Sequence, residues 1–175
     1  LMGGHIELQS EAGEGSEFRV HLMLPLADSA EHVEQLVSTT TAVTRQPLQN
    51  IADAEAQGRL ILLAEDNLVN QQVAVRQLAW LGHPCLIAAN GTEALQLWQT
   101  RRIGLILSDV HMPEMDGLTL TREIRRLETE RKLPRTVIIA MTASALKADT
   151  VQCLQAGMDD FLAKPVELAD LKQRL

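Results

Sequence analysis

Five residues of this chain have the types and spacing to do chemistry: the pair Glu65-Asp66, then Asp109, Thr142 and Lys164. Each follows directly on an apolar run: "LILLA", "GLILS", "TVIIAM" and "DFLA" in turn. A lone aspartate after such a run is usually a turn former. Four polar endings of four runs call for another reason. If the runs lie side by side, three carboxylates share one place. Two unit charges ~4 Å apart cost about 4 kcal/mol at an effective dielectric of ~20. Such a trio must hold protons or bind a cation, and hard oxygen donors suit Mg²⁺. Lys164 adds a mobile positive charge and Thr142 a hydroxyl donor. A metal, an ammonium and a hydroxyl around one free carboxylate suit a transferring phosphoryl group, a reaction that needs positioning and charge neutralisation. Asp109 can itself be the nucleophile, forming an acyl phosphate. The following "HMPEMDG" reads as a sharp turn, shaped by Pro113 and Gly117, that brings a backbone carbonyl back towards the metal.

The elements that must position these groups are legible as a strand–helix repeat. "LILLA" at 60–64 is apolar throughout, as in a strand buried on both faces. Asn67 caps a helix that ends at Gly82. "CLIAA" at 85–89 is strand-like, and Asn90 caps a helix with Ala94, Leu97 and Trp98 on one face. A strand at 104–108 precedes a helix carrying Leu120, Ile124 and Leu127 at helical spacing. A strand at 136–141 precedes a helix through Val151 and Leu154 that stops at Gly157. A short strand at 160–163 and a last helix in "VELADLKQRL" complete the pattern. Five such units imply a parallel sheet with helices on both faces, and in such sheets ligands sit at the carboxyl ends of the strands.

Charge divides the chain. Residues 1–58 carry two arginines against nine acids, which accounts for the whole net charge of −7; the fourteen bases and fourteen acids of 59–175 cancel. A domain boundary is therefore expected near Gly58. The acidic flank argues against a nucleic-acid surface. The interleaving of Glu123, Glu128 and Glu130 with Arg122, Arg125, Arg126, Arg131 and Lys132 reads as a solvated helix face. No apolar run approaches the ~20 residues of a membrane span, and no basic start followed by an apolar stretch suggests a signal peptide. Cys85 and Cys153 are expected as buried free thiols of a reducing compartment. Upstream, "HIELQS" and "EFRVHLMLPL" flank "EAGEG" as a β-hairpin would. A lone hairpin is not independently stable, so 1–26 reads as the tail of a domain. Residues 27–58, poor in large apolar groups, read as a linker with a helical stretch in "AEHVEQLV".

The blocks "LLAEDNLVNQ", "ILSDVHMPEMDG", "IIAMTASA" and "DDFLAKPVE", in this order and spacing, resemble the receiver domain of two-component response regulators over 59–175. The resemblance implies a flavodoxin-like (βα)5 fold with strand order 2-1-3-4-5. It implies Asp109 as phospho-acceptor and Mg²⁺ as cofactor, held by Asp66, Asp109 and the backbone carbonyl of His111, with Glu65 assisting through water. Thr142 and Lys164 would contact phosphoryl oxygens, Thr142 and Phe161 would form the switch, and His111 and Ser144 would tune hydrolysis. A cis bond at Lys164–Pro165 is also implied. Residues 1–26 resemble the closing hairpin of a histidine-kinase ATPase domain. The ATP-binding asparagine and glycine boxes of that family are absent from these 175 residues, so no ATP binding is expected of them.

The order of the three segments is similar to a hybrid sensor histidine kinase. That implies a cytoplasmic fragment of a bacterial parent anchored in the inner membrane. It also implies a kinase phosphohistidine domain as phosphoryl donor and a histidine phosphotransfer domain as a possible downstream partner, with no nucleic-acid or membrane contact by the fragment. Two other functions fit the same residues. A Mg²⁺-dependent phosphatase would use the same aspartyl nucleophile, though His111 stands where such enzymes carry a second acid. A degenerate receiver would serve only for docking, against which the complete residue set speaks.

Overall fold

A computed structural model describes residues 4–11, 13, 15–21, 46–143 and 147–175. It divides into two compact units, residues 1–42 and 43–175. The first contains an antiparallel hairpin, β1 (His5–Glu11) and β2 (Gly15–His21), paired from His5↔His21 to Glu11↔Gly15. Strict alternation puts Ile6, Leu8, Phe18 and Val20 on one face and His5, Glu7, Arg19 and His21 on the other.

The second unit runs α1 (Ile51–Ala56), β3 (Leu60–Ala64), α2 (Leu68–Trp80), β4 (Cys85–Ala88), α3 (Gly91–Thr100), β5 (Ile103–Asp109), α4 (Gly117–Arg131), β6 (Val137–Thr142), α5 (Lys147–Ala156), β7 (Asp160–Ala163) and α6 (Leu168–Arg174). The five strands are parallel in the order β4-β3-β5-β6-β7, which is 2-1-3-4-5 within the repeat. Alternation along each strand feeds two cores. Leu62, Ala64, Ile106, Ile138 and Ala140 meet Ala94, Trp98, Leu120, Ile124 and Cys153 on one face. Ile61, Leu63, Leu107, Ile139 and Leu162 meet Ala74, Leu78 and Leu171 on the other. Continuous apolar runs are required here because both strand faces are dry.

The local signals act as read from the sequence. Asn67 Oδ1 accepts from the backbone N–H of Val69 and Asn70, and Asn90 Oδ1 from that of Glu93. Gly82 turns the chain at φ +84°, a conformation that favours glycine. Among the described positions of α5, Cys153 and Ala156 are buried, whereas Val151 and Leu154 face solvent. Trp98 is buried and donates through Nε1 to Thr136 Oγ1, while Trp80 is largely exposed. Neither cysteine forms a disulfide; Cys153 is buried as expected, whereas Cys85 is half-buried, and that burial pushes its thiol up to about 11.

The compact unit begins well before Arg59, and the second half of the segment read as linker is built onto it. The backbone N–H groups of Gln46 and Gln49 donate to the carbonyls of Trp80 and Gly82. Ala54 of α1 is fully buried, and Glu55 takes both Arg101 Nε and Nη2 at 2.8 and 2.6 Å. These ties are backbone bonds and one distant ion pair, which leave no apolar period in the sequence. The helical stretch expected in "AEHVEQLV" lies outside the described residues. Among the described residues no helix is long and apolar enough to cross a membrane.

Candidate functional site

Strand register sets the height of each acidic group. Ala64 pairs with Ser108, so Glu65 follows β3 at the level of Asp109, the last residue of β5. Asp109 pairs with Met141, and Thr142 pairs with Ala163, which places Thr142 and Lys164 just beyond it on the next two strands. Parallel pairing brings these tips to one edge. Carboxylate oxygens of Glu65, Asp66 and Asp109 lie within 4.8 Å of one another. Glu65 and Asp109 are buried and Asp66 is exposed. Lys164 Nζ donates to Glu65 Oε2 and to Asp109 Oδ2, both at 2.6 Å.

Three carboxylates therefore lie together beside one ammonium that bonds two of them, a formal charge of −2. Burial works against the charge on Lys164, but the hydrogen bonds and negative charge of Asp109 and Glu65 more than offset it and hold its pKa above the ordinary lysine value. Asp109 Oδ1 accepts the backbone N–H of His111 at 3.2 Å, so one oxygen is held by backbone and the other by a movable side chain.

The loop after β5 is fixed by close approach. Gly117 N–H donates to Val110 O, and a Cβ at Gly117 would lie 2.1 Å from Asp109 O and 2.8 Å from Ser108 Oγ. Asp116 caps α4 through Thr119 N–H. A Cβ at Gly91 would meet Met115 O at 2.5 Å, which ties the loop to the start of α3. The Lys164–Pro165 bond is cis, as the family resemblance implies.

Other named residues stand further off. The His111 side chain is exposed. Thr142 is buried at its strand tip, and its carbonyl accepts Lys164 N–H at 2.7 Å. Phe161 is half-buried beside the core, level with Ala140, with the Arg174 guanidinium 5.8 Å from its ring. Ser144 lies outside the described residues.

Two residues that the sequence reading left without a role support the cluster. Asn70 Nδ2 donates to Glu65 Oε1 at 2.9 Å, and buried Gln71 Nε2 donates to Glu65 O at 2.6 Å. Both sit on the first turn of α2, five and six residues after Glu65. That placement was the available signal: polar side chains at the start of a helix that springs from an acidic strand tip.

The comparisons agree with this geometry. Residues 61–175 match the model of the response regulator receiver domain. The chain belongs to that family. The sensor histidine kinase RcsC of Escherichia coli (strain K12) is 39% identical over 129 residues, covering 74% of this chain and 13% of that protein. The virulence sensor protein BvgS of Bordetella bronchiseptica is 30% identical over 177 residues, covering all of this chain and 14% of that protein. This chain thus spans about an eighth of the length of such relatives. Among solved structures, the receiver domain of the sensor histidine kinase PA1611 from Pseudomonas aeruginosa, with a magnesium ion coordinated in the active site cleft, is 45% identical. Its TM-score is 0.58, over 66% of this chain and 92% of that one. The yeast receiver domain of Ssk1, crystallised with the histidine phosphotransfer protein Ypd1, is 30% identical with a TM-score of 0.62, over 66% and 84%. The fold is that of a flavodoxin-like receiver. The receiver is of the kind found in hybrid sensor histidine kinases and belongs to phosphorelay signalling.

Proposed function

We propose that Asp109 accepts a phosphoryl group from a phosphohistidine, and that Glu65, Asp66, Lys164 and Thr142 serve that transfer. The observation that carries the reading is three carboxylates within 4.8 Å around a lysine that bonds two of them. Asp109 presents Oδ2 once Lys164 releases it, while the His111 N–H keeps the carboxylate oriented through Oδ1. The oxygen attacks phosphorus, the phosphorus–nitrogen bond breaks, and its electron pair returns to an imidazole that takes up a proton. Lys164 follows the charge from the carboxylate to the phosphoryl oxygens, and the Thr142 hydroxyl donates to another. Glu65 stays behind, fixed by Asn70 and Gln71.

A cluster of hard oxygens with two uncompensated negative charges fits Mg²⁺. Asp66 and Asp109 would hold it with the His111 carbonyl, and Glu65 would assist through water. Bound there, the ion supplies charge neutralisation for the phosphoryl oxygens. His111 and Ser144, two residues beyond Asp109 and Thr142, are proposed to tune hydrolysis, and Thr142 with Phe161 to form the switch between two populations.

The donor is proposed to be the phosphohistidine domain of a hybrid kinase, its own or a cognate one, and a histidine phosphotransfer domain the downstream partner. The E. coli and Bordetella relatives support that parentage. Residues 1–26 would then be the end of the kinase ATPase domain, and residues 27–58 the connection, with its second half built onto the receiver unit. The test is incubation with a phosphorylated kinase core and Mg²⁺, followed by mass spectrometry. One hydroxylamine-labile phosphoryl group should appear on the wild-type chain and none on Asp109→Asn. Equal labelling of the variant would overturn the assignment, and turnover of a small phosphoester without a kinase would favour a phosphatase.

A further inference from the structure

The polar face of the hairpin carries a second group of metal-competent ligands, unrelated to the acidic edge. His5 and His21 are cross-strand partners, and Glu7 lies two residues along β1 on the same face. The His5 and His21 rings stack with centroids 4.6 Å apart, inclined by 7°, so one exposed ring must turn for both to meet the same ion. Glu7 bridges them: Oε1 lies 3.3 Å from His5 Nε2 and Oε2 lies 3.7 Å from His21 Nε2. One ligand atom from each residue falls within 4.8 Å of the other two.

Tetrahedral zinc binds imidazole nitrogen at ~2.0–2.1 Å and carboxylate oxygen at ~2.0–2.2 Å, so its donors stand about 3.3–3.5 Å apart. Glu7 Oε1 stands at that spacing from His5 Nε2, and Glu7 Oε2 stands slightly beyond it from His21 Nε2. Glu7 is also free to serve. Its cross-strand partner Arg19 turns away and donates through Nε and Nη2 to both oxygens of Glu17, at 2.9 and 3.1 Å. The ligand face is open to solvent, with His5, Glu7 and His21 all exposed. Two imidazoles and one carboxylate form a borderline donor set that favours Zn²⁺ over Mg²⁺ or Ca²⁺. Three protein ligands would leave a fourth position for water.

We propose that His5, Glu7 and His21 form a divalent transition-metal site of the zinc class. The metal would clip the open end of the hairpin, where the first residue of β1 meets the last of β2. A two-stranded hairpin is marginal alone, and metal affinity at such a site becomes folding free energy.

The test titrates Zn²⁺ into the full 175-residue chain by calorimetry in excess Mg²⁺, which competes for the acidic edge. One equivalent should bind in the micromolar range. Binding should weaken at least ~10-fold in His5→Gln and in His21→Gln, because even outer-shell losses reach that size; it should be unchanged in Asp109→Asn. In parallel, Zn²⁺ should shift the imidazole NMR signals of His5 and His21 and leave those of His83 and His111 in place. Failure to saturate at millimolar Zn²⁺ would overturn the proposal. So would binding that survives both histidine changes, or binding that disappears with Asp109→Asn. None of these outcomes bears on phosphoryl acceptance.

Discussion

The two rims of the parallel sheet both carry acids facing bases, and they do opposite things with them. At the amino rim, Glu55 meets Arg101 through two bonds and the Arg102 backbone N–H through a third at 3.1 Å. Both Glu55 carboxylate oxygens have donors, and the charges of Glu55 and Arg101 cancel. The result is a fastener that holds α1 to the turn before β5. At the carboxyl rim three acids cluster, and Lys164 bonds the two that are buried. That rim is short of positive charge, so it can take a cation and lend a carboxylate oxygen. Balanced pairs build structure, and an unbalanced cluster under burial is a site. Arg125 repeats the balanced case together with Arg135: from a largely buried position it bonds Glu128, Asp159 and the carbonyls of Thr136 and Gly157, and Arg135 pairs with Asp159 as well.

The comparison breaks first where the unbalanced rim is positioned. Gly117→Ala puts a methyl 2.1 Å from the Asp109 carbonyl oxygen, a backbone atom that cannot yield alone. Overpacking of this kind costs 1–3 kcal/mol and occasionally more, so a loss of about 3 kcal/mol is expected in urea unfolding. The phosphoryl-acceptance rate should fall with it, because the residue that moves is Asp109. Wild-type stability and labelling in the variant would show that the loop is not held by this contact.

Lys164→Met sharpens the difference by making the imbalance larger. The variant removes the cation that occupies Asp109 Oδ2 and Glu65 Oε2. Two effects of opposite sign are expected. Mg²⁺ affinity, read by fluorescence or calorimetry, should rise about tenfold, or ~1.4 kcal/mol. Phosphoryl acceptance should drop by roughly 10²-fold, the usual scale for losing one donor to transition-state charge. A variant that lost metal affinity and acceptance together would mean that Lys164 holds the carboxylates in place rather than competing for them.

Much of the carboxyl rim was legible in the sequence because each strand ends as it reaches the site. An apolar run that stops at Glu65, Asp109 or Lys164 reports burial and chemistry at once, and the caps Asn67 and Asn90 fix where the helices start. The sequence marks the helix through Val151 and Leu154, but its buried side falls on Cys153 and Ala156, whose small side chains give little signal. The supporting roles of Asn70 and Gln71 depend on where Glu65 turns, which no periodicity carries. Arg125 sat in a basic run that read as solvated. That holds for Arg126, with Glu123 and Glu130 beside it, and fails for Arg125, whose partners at 157 and 159 come from the next unit. The amino-rim fastener was the least legible, since Glu55 and Arg101 stand 46 residues apart.

That fastener gives the smallest expected effect and the cleanest sign. The Arg101 side chain, and after it the Arg102 backbone N–H, lower the Glu55 pKa from the ordinary 4.5 to about 2. A carboxylate with a depressed folded-state pKa adds stability above its unfolded value and loses it as pH falls through its folded value. Wild type should therefore exceed Glu55→Gln in unfolding midpoint at pH 7. The gap should hold down to about pH 4.5, narrow between there and about pH 2, and close below that. Every other carboxylate is common to both chains and cancels in the difference. A gap that stayed constant across this range would mean that Glu55 acts through packing and not through its charge. Because the amino rim holds no group of the transfer site, Asp109 labelling should be the same in both chains at neutral pH; a change there would mean that the two rims are coupled through the sheet.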